Sequence, residues 1–425
     1  MARETMRSSR HLGVDPDRVW AHLRDFSAPW HPMIATMARE QGGAVRAFTV
    51  TGEDTLFRER LTWFSDSGMA MGYTHLQGIK GARGYRGWLQ VSASERGGSL
   101  VTMSAEIDAT AKRAAEIAAG TKLVFDCGLA ALPALTKAAP PAPITDPGPV
   151  PAQSITIDDL PKLALSVTPD RTGPLCLFLH GIGGNRGNWD RQLGHAGAIT
   201  RAAAMDLRGY GNSTLGSAHS TVEDYCADIH RVMEVLGARQ IILCGLSYGA
   251  WIATSFAMDH PELVAGLILS GGCTGMSEAG PEERDAFRVS REVPLDAGQT
   301  PADFAAAVIE AITGPYATDA VRAELTASMA AIPAATYRDA LRCFTNPLRK
   351  LDFSRLAMPV LMMTGEHDRL APPHEIKSVA TRIHEATTSP DVRFEMIHGA
   401  GHLCNVEAAE AYNRPLLEFL RRIVQ

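Results

Sequence analysis

A strand-rich α+β segment followed by a mainly parallel α/β sheet with flanking helices is the fold class that this sequence predicts. Three observations carry it. Between Pro140 and Pro151 six prolines fall within twelve residues (Pro140, Pro141, Pro143, Pro147, Pro149 and Pro151) with no apolar period of either kind, which reads as a semi-rigid linker. Ahead of it, short strand-like runs alternate with Gly-rich turns. Behind it, short aliphatic runs alternate with amphipathic stretches, the pattern of buried strands and the helices that join them.

In chain order, residues 7–110 hold strand-like runs such as Leu56–Phe64, Gly84–Val91 and Ser99–Ile107, and a helical stretch follows over Thr110–Leu135. The domains expected are therefore 1–137, a linker over 138–153, and 154–425. In the last of these the runs Leu175–Leu179, Ile241–Cys244, Leu263–Leu269, Val360–Met363 and Val392–Ile397 are apolar on both faces, as strands covered from both sides must be. One helix is unusually legible: Ser220 and Glu223 read as a capping box. Val222, Tyr225, Cys226, Ile229, Val232, Met233 and Leu236 then keep helical spacing up to Gly237. Residues 274–351 interrupt the strands with several helical patterns, including Pro301–Ile312 and Ala320–Ala330. An insertion of that size reads as a helical cap that excludes water from a site beneath it.

Composition excludes several classes. At 425 residues, 45% hydrophobic and 21% charged, the chain is neither collagen-like, coiled-coil nor wholly disordered. The net charge of −6 is uneven, with 17 basic and 14 acidic residues up to Lys137 and 24 and 33 beyond it. No stripe of Lys and Arg stands ready to neutralise phosphates, so nucleic acid is not an expected partner. Seven scattered cysteines, never spaced C-x-x-C, argue against a disulfide framework and a zinc site and for a reducing, cytoplasmic setting. No leader and no uninterrupted apolar run of about 18 residues is seen, so no membrane is expected.

The chemistry-bearing residues cluster after the strand-like runs. Gly245-Leu246-Ser247-Tyr248-Gly249 lies between the run Ile241–Cys244 and the helical run Ala250–Met258, which is the context a nucleophile elbow requires. A serine hydroxyl is a poor nucleophile unless a held base takes its proton. Asp368, in Thr364-Gly365-Glu366-His367-Asp368, and His402, in His398-Gly399-Ala400-Gly401-His402, follow in the order nucleophile, acid, base. Glu366 and His398 are alternatives to them, because each lies near the same strand end. For the developing oxyanion the natural donors are the backbone N–H groups of Ile182, in His180-Gly181-Ile182-Gly183-Gly184, and of Tyr248. His180 is expected to brace that loop, and His180, Gly181 and Trp189 to border a substrate pocket. Gly181-x-Gly183 with Asp206 downstream imitates a dinucleotide fingerprint, but Arg186 occupies the third glycine position. Asp206 and Arg208 read as structural loop residues. Neither G-x-x-x-x-G-K-[ST] nor H-E-x-x-H occurs, so no metal or cofactor is expected.

Taken together, the Ser247 elbow, the His180–Gly184 loop, Asp368 and His402 resemble the α/β-hydrolase superfamily over residues 154–425. The tail from Gly401 to Glu407 and the run from Leu351 to Asp368 look like the 3-oxoadipate enol-lactonase group and its carboxylesterase relatives. That likeness implies a serine triad of Ser247, His402 and Asp368 acting on a small-molecule ester or lactone. Carbon-carbon bond hydrolases and non-enzymatic receptors on the same fold remain alternatives. Residues 8–137 resemble the START-like or polyketide-cyclase superfamily, through Val14–Trp20, Asp25-Phe26, Trp30-His31-Pro32, Glu59-Arg60-Leu61 and Gly128-Leu129. This implies a helix-grip fold, a curved antiparallel sheet on a long helix. It also implies a cavity for an apolar ligand in which Trp30, Trp63, Tyr73 and Trp88 are candidate lining residues. Whether this domain takes substrate, product or a regulatory ligand, or mediates homo-oligomer assembly, the sequence leaves open.

Overall fold

The computed structural model describes residues 2–40, 44–140, 146–347, 350–387 and 391–424. They form two compact units, Met1–Ile144 with Pro390–Arg393, and Thr145–Ser389 with Phe394–Gln425.

The first unit comprises β1 (Ala2–Leu12), α1 (Pro16–Leu23), β2 (Ile34–Glu40), β3 (Val45–Val50), β4 (Phe57–Ser65), β5 (Ala70–Gln77), β6 (Gly84–Ala93), β7 (Ser99–Ala109) and α2 (Ala111–Leu135). Its strands pair antiparallel in the order β1-β7-β6-β5-β4-β3-β2. Burial alternates strictly along β7, with Val101, Met103, Ala105 and Ile107 inward, because strand side chains leave on alternate faces. Those residues share one core with Ala114, Ile117, Phe125, Leu129 and Leu132 of α2. By length and composition α2 is apolar enough to cross a membrane, although its charged residues leave no uninterrupted apolar run, and these five positions are buried within the unit. Trp63 and Trp88 are only half-buried, whereas Tyr73 is core.

One ionic group is built into this sheet. Glu59 accepts from Arg46 Nε at 2.6 Å and lies 2.7 Å from His75 Nε2, with little solvent at any of the three. Burial alone pushes Glu59 up, but Arg46 and His75 outweigh it and bring it down to about 2.

The second unit opens with β8 (Gln153–Ile157), β9 (Leu163–Val167), β10 (Leu175–Leu179), α3 (Asp190–Gly197), β11 (Ala202–Met205), α4 (Val222–Val235), β12 (Ile241–Leu246), α5 (Tyr248–Asp259) and β13 (Val264–Ser270). Four helices, α6 (Pro281–Asp296), α7 (Pro301–Ile312), α8 (Asp319–Ala330) and α9 (Ala334–Thr345), precede β14 (Val360–Gly365), α10 (Pro373–Ala386), β15 (Val392–Ile397), α11 (Cys404–Glu407) and α12 (Ala409–Val424). The sheet order is β8-β9-β11-β10-β12-β13-β14-β15. The pairs β11/β10, β10/β12, β12/β13 and β13/β14 are parallel, while β8/β9 and β9/β11 are antiparallel. Helices α3 and α12 pack together, and Leu193, Tyr412, Leu416 and Phe419 from them share a core with alternate strand residues such as Cys176, Phe178, Ile242 and Cys244.

Two expectations need correction. The cap of α4 is Thr221, whose hydroxyl accepts from Asp224 N–H while the Asp224 carboxylate accepts from Thr221 N–H at 2.9 Å; Ser220 and Glu223 lie one residue too early. The box keeps its three-residue spacing, and the chain turns into the helix one position later. The linker expected over 138–153 is in part built into the second unit. Pro141 and Pro143 lie outside the described residues, but Asp146 bonds His195 at 2.8 Å, Val150 N–H donates to Gly194 C=O at 3.0 Å, and Gln153 already opens β8. Backbone groups that find partners no longer act as a free spacer.

Candidate active site

The turn between β12 and α5 is shaped by what has no room beside it. A Cβ on Gly249 would press on the carbonyl oxygens of Leu179 and His180, and one on Gly245 would press on the backbone of Gly249 and Ala250. Ser247 between them takes φ 55°, ψ −113°, a conformation that L residues rarely adopt and that the surrounding packing must enforce. Its N–H is tied to Ser270 C=O at 2.8 Å. The half-exposed Ser247 therefore stands at the rim of the sheet, against a cavity of about 1080 Å³.

His402 Nδ1 lies 2.8 Å from Asp368 Oδ2. Both side chains are almost wholly buried. Asp368 Oδ1 also accepts the N–H groups of Leu370 and Ala371, each at 2.9 Å. Burial raises the Asp368 pKa, but the His402 ring and these donors outweigh it and hold it below the usual carboxylate value. An ionised carboxylate only accepts, so the proton of the pair sits on His402 Nδ1 and leaves Nε2 as the ring's acceptor. His402 lines the same cavity as Ser247. A Cβ on Gly271 would come within 2.9 Å of the ring, so the absent side chain leaves the imidazole its space.

The alternatives Glu366 and His398 do meet, with Oε2 and Nδ1 3.5 Å apart, but on the surface and away from this cavity. Glu366 is held below its ordinary pKa first by the Gly399 N–H and then by His398. His367 is exposed against the Tyr316 ring.

The loop after β10 brings Gly181, Ile182, Gly183 and Gly184 to the cavity wall. The peptide that carries Ile182 N–H is held through Gly181 C=O, which accepts Gly184 N–H at 3.0 Å and lies 2.8 Å from His180 Nδ1, while the buried Tyr210 hydroxyl donates to Ile182 C=O at 3.1 Å. Neither Ile182 N–H nor Tyr248 N–H meets a protein acceptor among the described residues; Tyr248 is the first residue of α5, where helix geometry leaves the N–H free. His180 is wholly buried, its Nε2 accepting Leu207 N–H at 3.1 Å and its ring edge-on to Tyr210. Burial keeps its pKa low. Trp189 borders the cavity yet is fully buried in the core on Phe178 and Tyr412, so it supports the loop from beneath. Asp206 accepts from Arg186 N–H at 2.8 Å and from the Arg186 guanidinium, and Arg208 Nε donates to Asp228 at 2.8 Å.

Sequence reasoning missed two groups. Glu407 accepts the N–H groups of Gly314, Gly401 and Leu403 at 2.6, 2.9 and 3.0 Å, fastening the His402 loop to the end of α7. The other is the cap lining, Phe287, Arg291, Phe304, Met329, Tyr337 and Phe344 among it. Only helical spacing (287 and 291 on α6, 337 and 344 on α9) could have hinted at a shared face. Among the described residues no three His, Cys, Asp or Glu side chains gather as a metal set, and all seven cysteines are free.

A serine on a strained strand-to-helix turn, a buried His–Asp pair and a helical insertion at one rim of a mainly parallel sheet define the α/β hydrolases as a class. Residues 174–409, more than half of the chain, match the alpha/beta hydrolase fold model, and the protein belongs to that family. Residues 3–136 match the model described as polyketide cyclase / dehydrase and lipid transport. The chain is 28% identical to RutD of Escherichia coli O81, a candidate carbamate hydrolase, over 62% of this chain and 97% of that one. A thermophilic esterase from Thermogutta terrifontis, solved with malate bound, is 25% identical with a TM-score of 0.56 over 64% and 100% of the two chains. The enol-lactonase of Burkholderia xenovorans LB400 shares the fold at 20% identity and a TM-score of 0.53, over 61% and 96%.

Proposed function

We propose that the protein is a serine hydrolase of carboxylic esters or lactones. The observation that carries this reading is the buried Asp368–His402 pair opening on the same cavity as the strained Ser247. His402 Nε2 takes the Ser247 proton as Oγ adds to the carbonyl carbon, and the N–H groups of Ile182 and Tyr248 hold the oxyanion. The tetrahedral adduct then collapses, the C–O bond to the leaving group breaks, and the alcohol departs with the proton from His402. Water, deprotonated by the same ring, attacks the acyl-serine and releases the acid. The first unit binds an apolar ligand in this reading, supported by its match to a cyclase and lipid-transport model.

Carbamate cleavage is a second reading, favoured by the RutD relatives, which align over nearly their whole length. The same attack would then give a carbamoyl-serine and finally carbon dioxide and an amine. Intact mass after incubation with a fluorophosphonate tests the shared step. One adduct is expected on wild type and none on Ser247→Ala, whose ester turnover should fall by at least ~10³-fold. Retained turnover in Ser247→Ala would place the chemistry elsewhere. Matched p-nitrophenyl esters and carbamates then separate the two readings.

A further inference from the structure

Among the described residues most charged side chains on the cap side of the cavity stand in ion pairs; the exposed Glu283 and the half-buried Arg291 do not. Arg382, which lines the cavity, is neutralised by Glu278, with one of its contacts at 3.1 Å. On α6 the carboxylate of Glu292 is shared by Arg288, Arg338 and Arg342. Asp285 is taken by Arg288, and Asp296 by Arg338. Arg291, on the cavity side of the same helix, has no carboxylate within 4.0 Å among the described residues. Among the described residues its hydrogen bonds run from Nη1 to Phe287 C=O at 3.0 Å and to Ser290 Oγ at 3.3 Å.

The guanidinium stands 3.5 Å over the Phe287 ring. Tyr337, buried and tilted against Phe304 with ring centroids 5.7 Å apart, is near enough for its phenol to act on Arg291 electrostatically. Phe287, Phe304 and Tyr337 all line the cavity. Burial here works against the charge and holds the Arg291 pKa below its ordinary value, yet a guanidinium stays protonated in any protein setting. A half-buried cation with aromatic walls and no counter-ion is an unfavourable arrangement that a bound anion relieves, and the planar fork suits a carboxylate best. Glu283, two turns earlier on the same face, is exposed.

We infer that Arg291, with Phe287 and Tyr337 about it, is the anion subsite of this cavity, and that the substrate is an ester or lactone carrying a free carboxylate. This rests on the serine-hydrolase reading and names its substrate class. The acyl carbon sits at Ser247 while the carboxylate is held beneath the cap by the Arg291 fork.

The test uses the full chain and p-nitrophenyl monoesters of glutaric and adipic acid, each against its methyl-capped counterpart. Wild type should prefer the free acids in kcat/KM, chiefly through a lower KM. In Arg291→Gln that preference should fall by about tenfold or more, the size of one charge-assisted pair, and Arg291→Lys should restore part of it. An unchanged ratio in Arg291→Gln, or a wild-type preference for the capped esters, overturns the subsite. Titration calorimetry with glutarate and adipate needs no turnover: binding by wild type that is lost in Arg291→Gln supports the subsite even if no ester is hydrolysed. No binding of either diacid by wild type overturns it. Failure of the hydrolase reading would show separately, as absence of any Ser247-dependent ester turnover.

Discussion

At Ser247 a left-handed backbone is imposed on a residue that disfavours it, and the return is a hydroxyl lifted clear of the sheet. The residue types at the site were legible in the sequence, because nucleophile, acid and base chemistry allows few choices in a fixed chain order. What sequence left open was which member of each local pair faces the cavity. Asp368 and His402 are enclosed, while Glu366 and His398 share the surface, although each rival is only two or four residues away. His402→Ala is accordingly expected to lower kcat/KM by at least ~10³-fold and His398→Ala by no more than about threefold. Steady-state kinetics on the two variants check this, and the reverse order would move the base to His398.

At the scale of the element, turns and caps do the positioning. Gly249 packs its Cα onto the carbonyls of Leu179 and His180, which are backbone and cannot swing aside. Gly249→Ala should therefore cost about 3 kcal/mol in urea unfolding and disable turnover, because the strand and helix must separate to admit one methyl group. Glu407 acts on two elements at once, accepting N–H groups from the His402 loop and from the end of α7. Glu407→Gln retains the shape but removes the charge, and kcat/KM for a simple ester should drop about tenfold as the loop loosens, a loss of roughly one charged hydrogen bond. The strands apolar on both faces were readable from sequence; β8 and β9 were not. They are short antiparallel strands at the edge of the sheet, whose burial is incomplete on β8 and whose pairing is set by β11 rather than by their own pattern.

Across the whole molecule each unit has a hydrophobic core of its own. The ionic group of Glu59, Arg46 and His75 lies in the sheet of the first unit, so its loss is expected to weaken that unit and spare the chemistry of the other. Glu59→Gln leaves Arg46 without its carboxylate and should cost about 3–5 kcal/mol by chemical unfolding. The linkage has a definite sign. The folded value of about 2 lies below the ordinary 4.5, so this stability is fully present above pH 4.5 and fades as pH falls toward 2. Circular dichroism on acid titration should show that loss in wild type and not in Glu59→Gln. By itself the sequence determined that a proline-rich stretch separates two differently patterned segments, the buried parallel strands, the Ser247 elbow, and the short choice of acid and base, Asp368 or Glu366 and His402 or His398. These follow from local rules: prolines stop packing, covered strands must be apolar, and a nucleophile elbow needs glycines on both sides of its serine. Only the tertiary structure decided that Asp368 and not Glu366 meets the histidine, that Trp189 supports the loop from below, and that Arg291 faces the cavity without a counter-ion. Those outcomes depend on which distant groups a side chain meets, and that is fixed by packing between segments far apart in the chain.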